Sequence, residues 1–203
     1  MRSKRVKWLT FDAMALALIM LLTLVPFLGY IPIGPLSITI LHIPVLIFAY
    51  FGGLKRGWLY GLMFGVLSLI RCLYPPHGVL DAYFINPFIS ILPRVLFGFL
   101  AGAVFEFVRR IPDLRIRSAV LIVAAGILTV IHTLMVMGML AAFNLRDIEL
   151  DNNNTPFLTL LGVTMLTGSL PECAAAMLVA PPVILSLQPV FDRLMNSIYE
   201  RKR

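Results

Sequence analysis

A chain of 203 residues with 60% hydrophobic and 13% charged residues is too apolar for an ordinary soluble domain, where charged residues make up about a quarter. Its mean hydropathy of +0.93 makes lipid the solvent for much of its surface. The net charge of +7 does not point to nucleic acid, because the positive charges flank apolar runs and build no continuous basic face.

Four clusters, Arg2/Lys4/Arg5/Lys7, Lys55/Arg56, Arg109/Arg110/Arg115/Arg117 and Arg193/Arg201/Lys202/Arg203, hold all the lysines and arginines except Arg71, Arg94 and Arg146. In a membrane protein such clusters mark the cytoplasmic side.

Between them the apolar runs predict six spans. The first covers about residues 10–29 and lacks a small-x-small cleavage site, so it reads as a retained helix rather than a signal peptide. It ends at the Pro/Gly-rich stretch Tyr30-Ile-Pro-Ile-Gly-Pro35. A short second span, about 38–53, carries His42 and Pro44. The third covers about 57–72, and a polar loop from Tyr74 to Asp81 follows. The fourth starts at Asn86-Pro87 and covers about 87–108. The fifth covers about 118–143, before an acidic loop from Arg146 to Asp151. The sixth, about 156–187, contains Pro171, Pro181 and Pro182, so its length predicts a kink or a re-entrant outer portion. The predicted fold class is an all-α integral membrane bundle of six transmembrane helices, a single domain over residues 1–203. Both termini are cytoplasmic, since the opposite orientation would put the basic clusters outside.

Gly53, Gly57, Gly61 and Gly65 recur every four residues, and Gly98 and Gly102 do so on the fourth helix. This spacing aligns small residues on one helical face and predicts close backbone packing inside the bundle. Ala13 and Ala17 make a similar face on the first helix, where a contact to another protein competes with internal packing.

Arg94 lies about two turns into the fourth helix, a depth at which arginine is paired or turned to a cavity. Glu172 and His132 fall near the middle of the sixth and fifth helices, with His42 and Asn86 near outer ends. Two readings follow: a structural Arg94–Glu172 ion pair, or a site in which Arg94 holds an anionic group while Glu172 or His132 orients its polar parts. Tyr30, Tyr74, Tyr83 and Phe84 supply aromatic residues for a lid or an interfacial belt. Catalytic and phosphate-binding motifs are lacking, so no enzyme activity, cofactor or metal site is expected, and the chain carries no ATPase of its own. Cys72 and Cys173 have no metal or redox spacing.

Four segments then acquire meaning together. Ile38-Thr-Ile-Leu-His-Ile-Pro-Val45, Gly52-Gly-Leu-Lys-Arg-Gly57, Asn86-Pro-Phe-Ile-Ser-Ile-Leu-Pro-Arg94 and Leu170-Pro-Glu172 followed by Pro181-Pro182 resemble, in this order, the substrate-binding S components of energy-coupling factor (ECF) vitamin transporters. The His-Ile-Pro and Leu-Pro-Arg forms look most like the branch with pantothenate and cobalamin carriers. The resemblance implies a subunit of a prokaryotic cell membrane that binds a micronutrient on the extracellular side. It would dock on a transmembrane T component coupled to two cytoplasmic ATPases, with Ala13 and Ala17 matching the family's Ala-x-x-x-Ala contact. Pantothenate is the first candidate because its carboxylate suits Arg94; cobalamin, folate and a queuosine precursor stay open. The competing classes are an integral-membrane enzyme acting on a lipid or isoprenoid, and a ligand-free structural subunit.

Overall fold

A computed structural model of the chain describes residues 2–25, 28–33, 36–73, 81–151 and 156–200. Helix α1 (Arg2–Leu24) leads to a two-stranded antiparallel hairpin, β1 (Tyr30–Ile33) and β2 (Leu36–Thr39), in register Tyr30 to Thr39. Helices α2 (His42–Gly52) and α3 (Leu54–Cys72) follow, then a 3₁₀ turn (Asp81–Ile85) and a single α-turn, α4 (Pro87–Ser90). The rest is α5 (Leu92–Val108), α6 (Leu114–Asp151), α7 (Phe157–Thr164), a π-turn (Met165–Ser169) and α8 (Leu170–Glu200). Among the described residues, four stretches are long and apolar enough to cross a membrane: Lys4–Leu24, Pro87–Val108, Leu114–Phe143 and Leu161–Met195.

The bundle is helical as the hydropathy predicts, with differences that share a cause: hydropathy reports the apolar run, whereas backbone hydrogen bonding decides the element. The chain is not wholly α, because the Pro/Gly-rich stretch after α1 builds the hairpin. The second helix starts at His42 rather than near Ile38, since Ile38 and Thr39 are spent on the β2 ladder. The acidic stretch 146–151 is not a loop; α6 carries on through Asp151, as leucine, arginine and glutamate are good helix formers. The last predicted span is divided between α7, the π-turn and α8, and α8 runs to Glu200 with Pro181, Pro182 and Pro189 inside it. Its irregularity falls earlier, where the Leu170 N–H donates to the Met165 carbonyl, five residues back. Pro171 follows directly and has no N–H to give, so the widened turn sits where regular bonding must fail. The stretch 74–80 and the side chain of Asp81 lie outside the described residues, as do the side chains from 144 to 151 and that of Tyr30.

The short α2 is the axis of the fold. Every residue from His42 to Phe51 is buried. A helix wrapped by protein on all sides need not match the bilayer thickness, so 11 residues suffice. Gly53 turns the chain from α2 into α3 at φ +60° and ψ −163°, a conformation open essentially to glycine alone.

Helices α3 and α5 touch backbone to backbone. A Cβ at Gly57 would collide with the Gly98 carbonyl oxygen, one at Gly61 with that of Arg94, and one at Gly102 would lie 2.5 Å from that of Gly53. The glycine spacing thus serves packing within the bundle.

At the end opposite the hairpin, Trp8 and Phe11 of α1 pack edge-on against Phe191 of α8, and Phe11 also meets Phe48 and Phe51. Arg56 pairs with Asp12 there and lies over Trp8, and the Tyr60 hydroxyl donates to Asp12 at 2.9 Å. Arg109 donates to the Phe51 carbonyl and Lys7 to that of Leu194, so the described basic clusters gather at one end. The first helix is otherwise thinly attached: Ala15, Ile19 and Thr23 are buried at four-residue intervals, while Ala13, Met14, Ala17, Leu18 and Leu21 are exposed.

Gly61→Val should lower stability by about 2–3 kcal/mol or more, because neither facing backbone has room to yield. Gly162→Ala, at an exposed helical position with nothing within 4 Å among the described residues, should be neutral or mildly stabilising. Thermal unfolding of the two variants in the same detergent checks the contrast.

Candidate functional site

At the hairpin end, α2, α3, α5, α6 and α8 converge on a set of buried polar side chains: His42, Ser68, Arg94, His132, Ser169 and Glu172. Each is delivered by a local feature. Asn86 caps the α4 turn, its Oδ1 accepting the Phe88 N–H at 3.0 Å, with Pro87 in the first turn where its missing N–H costs nothing. Pro93 follows at the start of α5 and cannot donate to the Ile89 carbonyl four residues back. The guanidinium of Arg94 takes that position, its Nη1 donating to Ile89 O at 2.7 Å. The Leu-Pro-Arg sequence is therefore a device: the proline frees a carbonyl, and the carbonyl aims the arginine. The side chain lies beside the Phe84 and Phe64 rings, 5.1 and 5.8 Å from their centroids.

Glu172, in the first turn of α8, does not bond to Arg94. Its Oε1 accepts the Thr39 N–H at 2.6 Å and the Thr39 hydroxyl at 3.0 Å, tying the end of β2 to the last helix. The structural ion-pair reading thus gives way to a helix-to-hairpin link.

His42 opens α2 and His132 lies midway along α6. Their rings stack at 6.2 Å, and Phe97 and Phe64 flank His132 at 4.7 and 5.7 Å. All four ring nitrogens are buried without a hydrogen-bond partner, as are the hydroxyls of Ser68 and Ser169. A buried polar atom left unsatisfied costs about 1–3 kcal/mol, so a group of them makes this region the candidate for a bound polar partner or ordered water.

The structure thus brings together four of the residues singled out by sequence, Arg94, Glu172, His132 and His42. Asn86, half-buried, is engaged as a helix cap. Ala13 and Ala17 lie at the far end, exposed on α1. Sequence reasoning missed Thr39, Ser68, Ser169 and the Phe64 and Phe97 walls. A serine in an apolar helix was the only signal for two of them, and serine bonds its own helix too often for that to discriminate.

The arrangement offers a fixed cation, apolar aromatic walls and uncharged hydrogen-bonding groups, which is the make-up of a small-molecule binding site. The family model described as "ECF transporter, substrate-specific component" matches residues 7–184. This chain belongs to that family. It is also similar to the "Pantothenate transporter PanT" of Leuconostoc mesenteroides subsp. mesenteroides, with 31% identity over 141 residues, 68% of this chain and 69% of that protein. The S component is the vitamin-binding subunit of such a transporter, a membrane protein whose role is capture rather than catalysis.

The Thr39 link is directly measurable. Glu172→Leu should speed hydrogen exchange at the Thr39 amide by about tenfold or more, while Glu172→Gln, which keeps an acceptor oxygen, should lose much less.

Proposed function

We propose that this S component binds pantothenate with high affinity and delivers it to an ECF importer. The reading is carried by Arg94: a buried guanidinium, aimed by the Ile89 carbonyl and walled by Phe84 and Phe64, suits the carboxylate of a small ligand. The relative named as a pantothenate transporter points to the same substrate. Pantothenate joins one carboxylate to hydroxyl and amide groups, and His132, His42, Glu172 and Asn86 are the residues assigned to those groups or to shaping the site around them.

In the membrane, α1, α2, α3, the α4–α5 unit, α6 and the α7–α8 unit act as six spans. The gathered basic clusters face the cytoplasm together with both termini. The site then opens to the outside of a prokaryotic cytoplasmic membrane. The exposed small-residue face at Ala13 and Ala17 docks on the T component, which couples to two cytoplasmic ATPases. A helix held by a narrow buried stripe, with small residues outward, suits a contact that must form and release, because small side chains let a partner helix approach without locking.

Arg94→Gln should weaken pantothenate binding by about a hundredfold or more, measured by calorimetry on protein that elutes as a folded species. Unchanged affinity would remove Arg94 from the site. Ala13→Trp and Ala17→Trp should bind pantothenate normally yet fail to support uptake in vesicles containing the complete importer. Normal uptake by both variants would place the docking face elsewhere.

A further inference from the structure

The turn between α5 and α6 holds more positive charge than its own structure uses. It contains Arg109, Arg110, Arg115 and Arg117 against one carboxylate, Asp113. That carboxylate is occupied at the helix start, where its Oδ1 accepts the Arg115 and Ile116 N–H groups at 2.7 and 3.1 Å. Arg109 donates to the Phe51 carbonyl at 3.2 Å, at the end of α2. Arg110 reaches Glu106 at 3.8 Å and lies over the Phe107 ring. Arg115 and Arg117 stand in the first turns of α6, where the positive end of the helix dipole disfavours a cation. An anion at this point would relieve that repulsion.

Arg117 differs from an ordinary solvated arginine. It sits one turn before Leu121, on the stripe that continues through Ala125 and Leu128 and is buried against the bundle. Its side chain is half-buried, and Nε is buried with no hydrogen-bond partner among the described residues. A guanidinium held in this way has donors fixed in position for a bidentate acceptor such as phosphate.

The neighbours of these cations are apolar. Phe107, Leu114 and Ile116 are each more than half exposed. Apolar side chains beside arginines suit the boundary between acyl chains and headgroups rather than open water. The orientation proposed above puts the turn at the cytoplasmic leaflet, where anionic lipids attract basic segments.

We infer that the α5–α6 turn is a binding site for an anionic phospholipid. Arg117 anchors the phosphate, Arg110 lies at the rim, and Phe107, Leu114 and Ile116 meet the acyl chains. A soluble phosphate would use the arginines but not the three apolar side chains. The turn lies at the opposite end of the bundle from the hairpin, and it shares no residue with the candidate vitamin site.

The test uses the full chain in detergent micelles with phosphatidylglycerol, phosphatidylcholine of the same acyl chains, or inorganic phosphate. Native mass spectrometry reads lipid retention, and thermal unfolding reads stabilisation. The wild type should hold one phosphatidylglycerol about tenfold more tightly than phosphatidylcholine and melt about 3 °C or more higher with it. Inorganic phosphate at the same concentration should leave the melting temperature unchanged. Arg117→Gln should weaken phosphatidylglycerol retention about tenfold, and Arg110→Gln, at an exposed position, about fivefold. Lys55→Gln, at the same end of the bundle but outside the turn, should match the wild type. The proposal is overturned by equal wild-type retention of the two lipids, or by a loss in Lys55→Gln as large as in the turn variants. Wild-type retention in Arg117→Gln, or stabilisation by phosphate equal to that by the lipid, would also overturn it. Arg110→Gln decides the point should Arg117→Gln not fold.

Discussion

Because the backbones of α3 and α5 meet at Gly57, Gly61, Gly98 and Gly102, the two helices sit closer than side chains would allow. Lipid tails give helices no hydrophobic reason to associate, so close van der Waals contact along such a seam is a principal source of cohesion. The seam also has a directional consequence. Gly61 faces the backbone of Arg94, and a Cβ added at Gly65 would stand 2.8 Å from the Ile91 Cα. The arginine therefore starts from a fixed point within the contact, with Phe64 of α3 beside it. Everything the guanidinium does follows from that placement.

Proline makes the second contribution, by removing donors. Pro93 leaves the Ile89 carbonyl to Arg94, and Pro171 follows the π-turn that carries Ser169. In a hydrocarbon environment a freed carbonyl must find another partner, since no bulk water reaches it. The chain exploits that demand at these two positions: one break in helical bonding is answered by a side chain and the other by a widened turn, both beside the polar interior. The ends of the bundle differ. At the basic end the carboxylates are satisfied, Asp12 by Arg56 and Tyr60, Glu106 by Leu54 N–H and Arg110. At the hairpin end several polar groups are not.

Much of the architecture was legible before any coordinates. Long apolar runs identify membrane helices because the bilayer core sets a length, and the four-residue glycine period identifies a close face because a helix repeats every 3.6 residues. Arg94, Glu172, His132 and His42 stood out for the same reason: each is costly in an apolar helix, so each must be engaged by something. Cost says that a partner exists, not which one. Glu172 was matched with Arg94 by charge, yet it binds Thr39, whose backbone N–H no charge pattern could reveal. Asn86 lies at the same end, and its oxygen caps a helix turn, a role that local sequence spacing alone leaves open.

The sequence alone determined that this is a helical membrane protein, that its basic clusters fall between apolar runs, and that a few buried polar residues need explaining, because those properties follow from composition and period. Only the tertiary structure decided which of those residues meet. His42 and His132 are far apart in the chain, and their stacking depends on α2 being packed among α1, α3, α5 and α8, with α6 bringing His132 to its end. The hairpin and the π-turn also belong to the folded molecule, since they arise where local bonding rules fail and neighbouring elements settle the outcome.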